Sequence, residues 1–291
     1  MIKDFETWLH NRGYRLNTVR SVTGEVSRFI QWCNSEGIAA DKAIYNDLFH
    51  YIKHGQSQSN SKNTTNQKLT VLKHYYSFLT EKGQRDDNPA LELRVRNAIR
   101  RVPHNLLSME ELEELYKQYP TAGINSKRNK AVLGLLIYQG MNASELAALE
   151  PQDIKLEEGK IYIPATGRSN SRTLKLEAHQ VMNLQNYLLV VRPGLLSLTD
   201  KQSGKLFISS GEGSRLSNTF TRMMSVIKKI NSKVKDMKQI RASIVTQWLK
   251  KHNIRQVQYM CGHRYVSSTE YYRIDKLETL QEQLESLHPL K

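Results

Sequence analysis

Cysteine is scarce in this sequence, and its scarcity excludes a disulfide-stabilised design. Of 291 residues only two are cysteine, Cys33 and Cys261, and both lie in apolar contexts typical of helices. Two isolated thiols predict buried, reduced side chains in an intracellular protein. No cluster of Cys and His residues has the spacing of metal ligands, so the sequence predicts no metal site and no cofactor.

Long hydrophobic segments are also missing. The sequence has no uninterrupted run of about 18 apolar residues, which is roughly what a membrane-spanning helix requires. The first residues, MIKDFETWLHNRGY, lack the apolar core of a signal peptide. We therefore expect a cytoplasmic protein without a membrane segment.

Acidic residues are in the minority. The chain has 28 Asp and Glu against 43 Lys and Arg, which gives a formal net charge of +15. A surplus of that size favours a polyanionic partner, and nucleic acid fits it better than an anionic membrane. The length is sufficient for two domains, each with its own core.

Residues 1–91 predict a small helical domain. Apolar side chains recur at helical spacing in four segments, namely Phe5–Leu9, Val22–Cys33, Tyr45–Ile52 and Leu69–Leu79. The polar run from Gly55 to Asn66 is predicted to be the loop before the fourth helix. Lys68 lies away from the apolar stripe of that helix and is predicted to contact nucleic acid. Asn88-Pro89 is predicted to close the unit.

Residues 92–106 form a basic segment that is predicted to link two domains. Glu92 is its only acid, against four arginines: Arg94, Arg96, Arg100 and Arg101. Two interpretations remain open. The segment is either a solvated tether or a strap across DNA phosphates, where each contact releases counterions and makes affinity depend on salt.

Residues 107–291 predict a second domain of helices with a small antiparallel sheet. Ser108 and Glu111 have the spacing of a capping box, and an apolar helix is predicted at 129–139. Three short segments favour strands: Lys160–Ile163, Thr173–Leu176 and Leu206–Ile208. A turn at 167–171 joins the first two. The expected fold class is therefore mainly α with a small antiparallel β-sheet.

The stretch from Lys238 to Tyr272 carries the groups of a phosphoryl-transfer site. Arg241 can hold a phosphate with a planar fork of donors, and Lys238 can add a point charge. His263 can carry a proton near neutral pH. A tyrosine such as Tyr272 becomes a nucleophile when a base or a cationic field activates it. These groups fit attack on a phosphodiester without a metal ion; the alternative is a basic helical face with a core histidine and two packed aromatic residues.

The spacing of these residues resembles the catalytic box of the tyrosine recombinase (phage integrase) family. In that family His or Lys is followed three positions later by Arg, then by a Gly-His pair, then by Tyr nine residues after the His. The matching residues here are Lys238, Arg241, Gly262, His263 and Tyr272. Tyr271 falls one residue short, and we interpret it as a packing residue.

The resemblance implies a fold and an activity. The fold is a helical core-binding domain followed by an α+β catalytic domain, which together clamp double-stranded DNA. The activity is that of a site-specific recombinase or integrase, which cuts and rejoins DNA through a 3′-phosphotyrosine. The resemblance also implies work on a mobile element, including integration or transposition, and association with the nucleoid.

The segment GMNASEL resembles the first catalytic box of the family, Gly-Leu-Arg-x-Ser-Glu-Leu, with one departure. Asn142 stands where the family has its first catalytic arginine, and with Glu145 it can also cap the following helix. An amide has no charge and no guanidinium fork. Three interpretations stay open: another cation such as Arg264 or Arg128 supplies the charge, the enzyme is slow, or the protein binds DNA without cutting it.

The turn between the first two predicted strands carries a second departure. The family has a lysine there that protonates the leaving 5′ oxygen, and Arg168 is the matching residue here. Arginine is a poor acid, so Arg168 suits holding a phosphate or a plain contact with the DNA backbone. Lys175 is the nearest lysine, but it lies in the predicted strand.

The end of the chain carries a leucine stripe, made of Leu277, Leu280, Leu284 and Leu287. A helix that short usually folds onto its own core. In the family the tail after the nucleophile docks into a neighbouring subunit. The resemblance therefore implies self-association on DNA, from dimer to tetramer, through this tail.

Overall fold

The computed structural model describes residues 1–95, 105–167, 169–211, 213 and 215–273. The chain divides into two compact units, Met1–Arg101 and Val102–Lys291. The first is helical and the second combines helices with a three-stranded antiparallel sheet. This architecture confirms the predicted fold class.

Unit 1 is built from the four predicted helices, which are α1 (Ile2–Asn11), α2 (Leu16–Ser35), α3 (Tyr45–Ser57) and α4 (Lys62–Glu81). Their apolar stripes meet in one core, with Phe5, Phe29 and Leu48 completely buried. Tyr76 is also buried, and its hydroxyl donates to the carbonyl of Ala40 at 2.9 Å, so burial leaves no polar atom without a partner there.

The predicted loop from Gly55 to Asn66 is mostly helical, so that prediction is wrong. Helix α3 continues to Ser57, and α4 begins at Lys62 because the side chain of Ser61 accepts from the backbone N–H of Thr64. Polar residues on an exposed helix face do not interrupt a helix. The composition of the segment was therefore a poor guide to its structure.

The described start of the predicted linker is attached to unit 1. Leu93 is buried in the helical core, and Arg94 is exposed. The amide side chain of Asn66 pairs with the backbone of Val95 in both directions, at 2.8 and 2.9 Å. Of the four linker arginines, Arg96, Arg100 and Arg101 lie outside the described residues.

Unit 2 contains nine further α-helices among its described residues. They are α5 (Met109–Gln118), α6 (Ile124–Tyr138), α7 (Ala143–Ala148), α8 (Ala178–Asn186), α9 (Arg192–Thr199), α10 (Ser217–Ile230), α11 (Met237–Lys251), α12 (Ile254–Cys261) and α13 (Ser267–Glu270). Short 3₁₀ turns occur at Pro151–Asp153 and Tyr271–Arg273, and one π turn at Tyr187–Val191 joins α8 to α9. The predicted capping box of Ser108 and Glu111 begins α5.

The sheet has the order β1-β2-β3, with β1 at Ile154–Lys155, β2 at Lys160–Ile163 and β3 at Arg172–Lys175. Strands β2 and β3 are the predicted hairpin, and Ile163 lies opposite Arg172 in the register. The prediction of a strand at Leu206–Ile208 is wrong. Those residues are buried without strand pairing. The backbone N–H of Leu206 bonds to the carbonyl of Leu149 at 2.7 Å, and the carbonyls of Leu206 and Ile208 accept from the side chains of Tyr187 and Arg128.

Helix α6 is the centre of unit 2. Five consecutive residues from Val132 to Leu136 are essentially unexposed, because α5, α8 and α11 cover different sides of it. Both cysteines, Cys33 in α2 and Cys261 in α12, are buried free thiols as predicted. Burial raises the pKa of Cys261 to about 11. In the described part of the chain, no helix is long and apolar enough to cross a membrane.

Candidate active site

Arg241 lies at the centre of the predicted site. It is on α11, which begins where the side chain of Asp236 caps the helix. Only 9% of the residue is exposed. Its Nη1 donates to the carbonyl of Gly140, and its Nη2 donates to the carbonyl of Cys261 at 2.8 Å. The guanidinium is therefore fixed by backbone at the start of α7 on one side and at the end of α12 on the other.

Glu145 on α7 is the acid beside Arg241, and Arg172 on β3 is its main partner. Arg172 donates from Nη1 to Oε1 at 2.9 Å and from Nη2 to Oε2 at 3.1 Å, and neither side chain is exposed. Arg241 Nη1 reaches Oε2 at 3.4 Å. Burial raises the pKa of Glu145, but the two arginines and the backbone N–H of Asn142 more than offset this, so that its pKa is below the usual value.

Arg172 was not predicted as a site residue. The only signal in the sequence is its position, since residues 172 and 174 share one face of the strand and Leu174 contacts the core. An arginine on the inner face of a strand needs buried hydrogen-bond acceptors, and a buried acid also neutralises its charge. The identity of that acid depends on tertiary structure.

His263 follows Gly262, the residue that ends α12, and its two ring nitrogens have different partners. Nδ1 lies 2.9 Å from the hydroxyl of Thr269, and Nε2 lies 3.4 Å from Nη2 of Arg241. Because a guanidinium only donates, we assign the proton to Nδ1 and the lone pair to Nε2. Burial, together with Arg241 and then Arg172, lowers the pKa of His263 to about 4, so the ring is neutral at pH 7.

Tyr272 stacks on this imidazole. The two rings are nearly parallel, 8° apart, with centroids 6.1 Å from each other. Tyr272 also packs against a small apolar cluster of Val245, Val257 and Cys261. Tyr271 contacts Tyr272 edge-on, with ring centroids 5.2 Å apart, and its role as a packing residue stays a prediction. Arg241, His263 and Tyr272 therefore lie close together, and their catalytic roles stay predictions.

The hairpin and the end of α12 are joined at Gly262. Its carbonyl accepts from the backbone N–H of Asn170 at 2.8 Å, and Ser169 forms a bridge with His263. Gly262 has φ +66°, and a Cβ atom there would lie 2.5 Å from Nη1 of Arg172. Glycine before His263 is therefore required both by the backbone and by the close approach of Arg172.

Asn142 caps α7, which is the structural role considered for it. Its Oδ1 accepts from the backbone N–H of Glu145 at 2.9 Å and from the hydroxyl of Ser144 at 2.8 Å. The carboxylate of Glu145 accepts in return from the backbone N–H of Asn142 at 2.9 Å. The position therefore supplies a neutral amide and no guanidinium.

Neither of the two arginines considered as a replacement joins Glu145 and Arg241. Arg128 is buried, and it donates to Asn129 and to the carbonyl of Ile208, at 2.8 Å for the latter. Arg264 is exposed beside His263, and its Nη2 donates to the carbonyl of Thr166 at 3.3 Å. The arginine that the fold brings to Glu145 is Arg172.

The remaining predicted residues are not part of this cluster of contacts as far as the structure describes them. Lys238 and Lys175 are exposed, and Arg168 lies outside the described residues. Lys68 in unit 1 lies 3.5 Å from the carboxylate of Glu25. That ion pair gives Lys68 a structural partner within its own domain, and its contact with nucleic acid remains a prediction.

Two family models match the chain. The model described as "Phage integrase family" covers residues 105–278, and that of the "Phage integrase, N-terminal SAM-like domain" covers residues 2–83. The first match includes the segment GMNASEL and the stretch from Lys238 to Tyr272. Because it spans more than half of the protein, the chain belongs to the phage integrase family.

Curated relatives agree along most of the chain. The tyrosine recombinase XerC of Oceanobacillus iheyensis is 26% identical over 279 residues, which cover 94% of this chain and 90% of the relative. A second XerC, of Pelotomaculum thermopropionicum, is 30% identical over 249 residues, covering 82% and 79%. At the level of the family, the chain is a tyrosine-type site-specific recombinase.

Solved structures show the same fold at lower identity. The XerH site-specific recombinase bound to difH substrate in a pre-cleavage complex matches with a TM-score of 0.72 and 17% identity, over 97% of this chain and 84% of that one. The Tn1549 transposon integrase in complex with transposon right end DNA matches with a TM-score of 0.69 and 15% identity, over 98% of both chains. At these identities the likeness concerns the fold alone.

Proposed function

We propose that this protein binds double-stranded DNA and exchanges strands at a specific site through a covalent 3′-phosphotyrosine at Tyr272. The observation that carries the proposal is the arrangement of three groups. The neutral ring of His263 has its Nε2 3.4 Å from the guanidinium of Arg241 and is stacked with the ring of Tyr272. A phosphate held by Arg241 would be adjacent to a base and to a phenol.

The proposed reaction replaces one phosphoester bond by another, so it involves no net change in bond energy. The Tyr272 oxygen attacks phosphorus and loses its proton, which Nε2 of His263 can accept because the imidazole is neutral. The bond from phosphorus to the 5′ oxygen breaks, and that oxygen takes up a proton. Lys175 is exposed on β3 and is the hairpin lysine that can donate it, while Arg168 suits phosphate binding. The 5′ hydroxyl of a partner strand then reverses the reaction.

Arg241 has donors that a phosphate can recruit. Its contacts with Glu145 and His263 are both 3.4 Å long, which is outside the range of good hydrogen bonds. The contact with the carbonyl of Cys261 is 2.8 Å. A phosphate oxygen would replace the two long contacts and leave the anchoring contacts with the carbonyls of Gly140 and Cys261. That exchange also frees the Nε2 lone pair of His263 for the proton of Tyr272.

Exposed cations around this centre fit the DNA backbone. Lys238 is three residues before Arg241, and Arg264 directly follows His263. Both side chains are exposed. The surplus of basic residues over the whole chain suits a polyanion. We further propose that the linker arginines Arg94, Arg96, Arg100 and Arg101 contact phosphates, and that Lys68 in unit 1 also contacts DNA.

A nicked DNA substrate tests the cleavage step. The substrate carries a site selected from a random pool by binding, with a nick that lets the short product diffuse away and trap the adduct. We expect an SDS-stable protein–DNA adduct, which is lost in Tyr272→Phe. The matched control is Tyr271→Phe, which should keep the adduct. An adduct that persists in Tyr272→Phe and disappears in Tyr271→Phe would assign the nucleophile to the other tyrosine.

A second function remains a candidate because Asn142 supplies no charge. In this alternative the protein binds DNA but does not cut it. The discriminating variant is Asn142→Arg on the same substrate. No adduct from either the wild type or this variant, with site-specific binding intact, would favour the binding protein.

We also propose that the chain recombines a mobile element and assembles on DNA through its tail. The support for the first is the fold that it shares with a transposon integrase. The leucines at 277, 280, 284 and 287 lie outside the described residues, and their stripe supports the second. Deleting residues 277–291 should weaken tetramers on DNA in native gels and spare binding to a single site; unchanged assembly would refute the role of the tail.

A further inference from the structure

Neither Arg172 nor Glu145, which form a buried pair, takes part directly in a step of the proposed chemistry. Both side chains are completely unexposed, and their two hydrogen bonds form a bidentate pair. Such pairs are the strongest and most directional that arginine makes. An isolated carboxylate at this depth would be very unfavourable, so Glu145 must be neutralised by one of its two arginines.

The two arginines compete unequally for Glu145. Arg172 contacts both oxygens, at 2.9 and 3.1 Å, whereas Arg241 contacts one oxygen at 3.4 Å. Because attraction weakens with distance, Glu145 is neutralised mainly by Arg172. With Arg172 removed, the buried carboxylate would take Arg241 as its partner.

We propose that Arg172 is a positioning residue of the recombination site, which neutralises Glu145 and thereby keeps the Arg241 guanidinium available to the scissile phosphate. This inference rests on the proposed function of Arg241 as the phosphate-binding group. Arg172 does not touch the phosphate itself, since its side chain has no exposed surface.

The departure at Asn142 makes this role more important. Arg172, Arg241 and Glu145 together carry one net positive charge, and His263 is neutral. An arginine at position 142 would add a second charge. Because position 142 is an asparagine, the charge of Arg241 is what remains in this cluster once Arg172 has neutralised Glu145. With Arg172 removed, Arg241 and Glu145 together would carry no net charge.

The fold holds Arg172 in this place from two sides. In the β2–β3 register it lies opposite Ile163 at the first pair beside the turn. Gly262 leaves the space that its guanidinium occupies, because a Cβ atom there would be 2.5 Å from Nη1. The hairpin and the Gly-His turn therefore determine together which carboxylate Arg172 can reach.

The test is a double-mutant cycle on the rate of adduct formation in single turnover at saturating nicked DNA. Arg172→Met should slow the adduct about 10²-fold, as expected for losing one preorganised cationic donor, and should change DNA affinity far less. Arg172→Met combined with Glu145→Gln removes both charges of the pair and should return the rate to within about tenfold of wild type. A double variant as slow as Arg172→Met, or an Arg172→Met rate equal to wild type, would overturn the proposal.

Proton NMR of His263 without DNA gives a reading that does not depend on cleavage. In Arg172→Met the net charge near the ring falls from +1 to zero, so its pKa should rise above the wild-type value of about 4. In the double variant the net charge is again +1, and the pKa should fall back. If the wild type forms no adduct, the proposed function fails while this titration still decides the role of Arg172; an unmoved pKa in Arg172→Met would overturn it.

Arg172→Lys covers the case in which the methionine variant does not fold. Lysine keeps the positive charge beside Glu145 but loses the fork of donors. We expect its adduct rate to fall about tenfold, less than in Arg172→Met, and the His263 pKa to stay near the wild-type value. A rate as low as the about 10²-fold loss expected for an uncharged residue would contradict the charge argument.

Discussion

The site has two halves that differ in how they are built. The half formed by α11 to α13 supplies Arg241, His263 and Tyr272, and it keeps the complete sequence pattern of the family. The half formed by α7 and the hairpin supplies Glu145 and Arg172, with an amide at position 142 in place of a guanidinium. In the proposed mechanism, the reacting groups therefore match the family pattern, whereas the charge around the phosphate is supplied differently.

The largest effect should come from the first half, at Arg241. In Arg241→Lys the charge is kept, but one ammonium cannot bond to the carbonyls of Gly140 and Cys261 and still reach a phosphate. We expect the single-turnover rate of adduct formation to fall by about 10³-fold. Arg264→Lys is the matched control, because it makes the same substitution at an exposed arginine. It should change the rate of adduct formation by less than about tenfold. Equal losses in the two variants would contradict the central position of Arg241.

The second half should respond in the opposite direction at Asn142. We expect Asn142→Arg to raise the rate of adduct formation by about 10- to 100-fold, because it restores a cationic donor beside the phosphate. It should also lower stability by about 1 kcal/mol, since the cap on the N–H of Glu145 is lost. Asn142→Ala is the matched control. It should show the same loss of stability in urea unfolding without the gain in the rate of adduct formation. A gain in both variants would attribute the effect to the cap.

The junction between the halves is sensitive to a single methyl group. Gly262→Ala should lower the free energy of unfolding by about 2–3 kcal/mol, since the new Cβ would approach Arg172 at 2.5 Å in a left-handed backbone. Gly159→Ala is the matched control, because Gly159 has φ +60° with nothing within 4 Å. Backbone strain alone should lower its stability by about 1 kcal/mol. Equal losses of unfolding free energy in the two variants, measured in urea, would contradict the close approach of Arg172 to Gly262.

The smallest effect concerns pH and the neutral ring of His263. The folded pKa, about 4, is below the ordinary value of 6.5. Between these values the unfolded chain binds more protons, so stability is fully present above pH 6.5 and is lost as pH falls towards 4. Allowing for the partial exposure of the ring, we expect a loss of about 1–2 kcal/mol over this window. His263→Gln should remove this part of the pH dependence; an identical dependence in both proteins would contradict the buried neutral ring.

Much of the fold was predictable because it depends on local patterns. The apolar stripes of α1 to α4 and the capping boxes at Ser108 and Asn142 correctly indicated helices. The segment Leu206–Ile208 was misassigned because a short apolar run does not distinguish a strand from buried irregular chain. The polar run at 55–66 was misassigned because exposed helix faces tolerate polar residues.

The candidate site was predictable to the extent that spacing determines it. Arg241, His263 and Tyr272 are brought together because α12 and α13 return the chain to α11, as the sequence pattern indicates. Arg172 could not be recognised in this way. Its importance depends on a buried partner, Glu145, which is 27 residues away in sequence and is brought to it by the tertiary fold.

Peptide mapping of the trapped adduct is the direct test of Tyr272 as the nucleophile. The protein is allowed to react with nicked DNA, the DNA and the protein are digested, and mass spectrometry locates the residue that carries the nucleotide phosphate. We expect the phosphate on Tyr272, the ring stacked on His263. A phosphate on Tyr271 or on any other residue would contradict it.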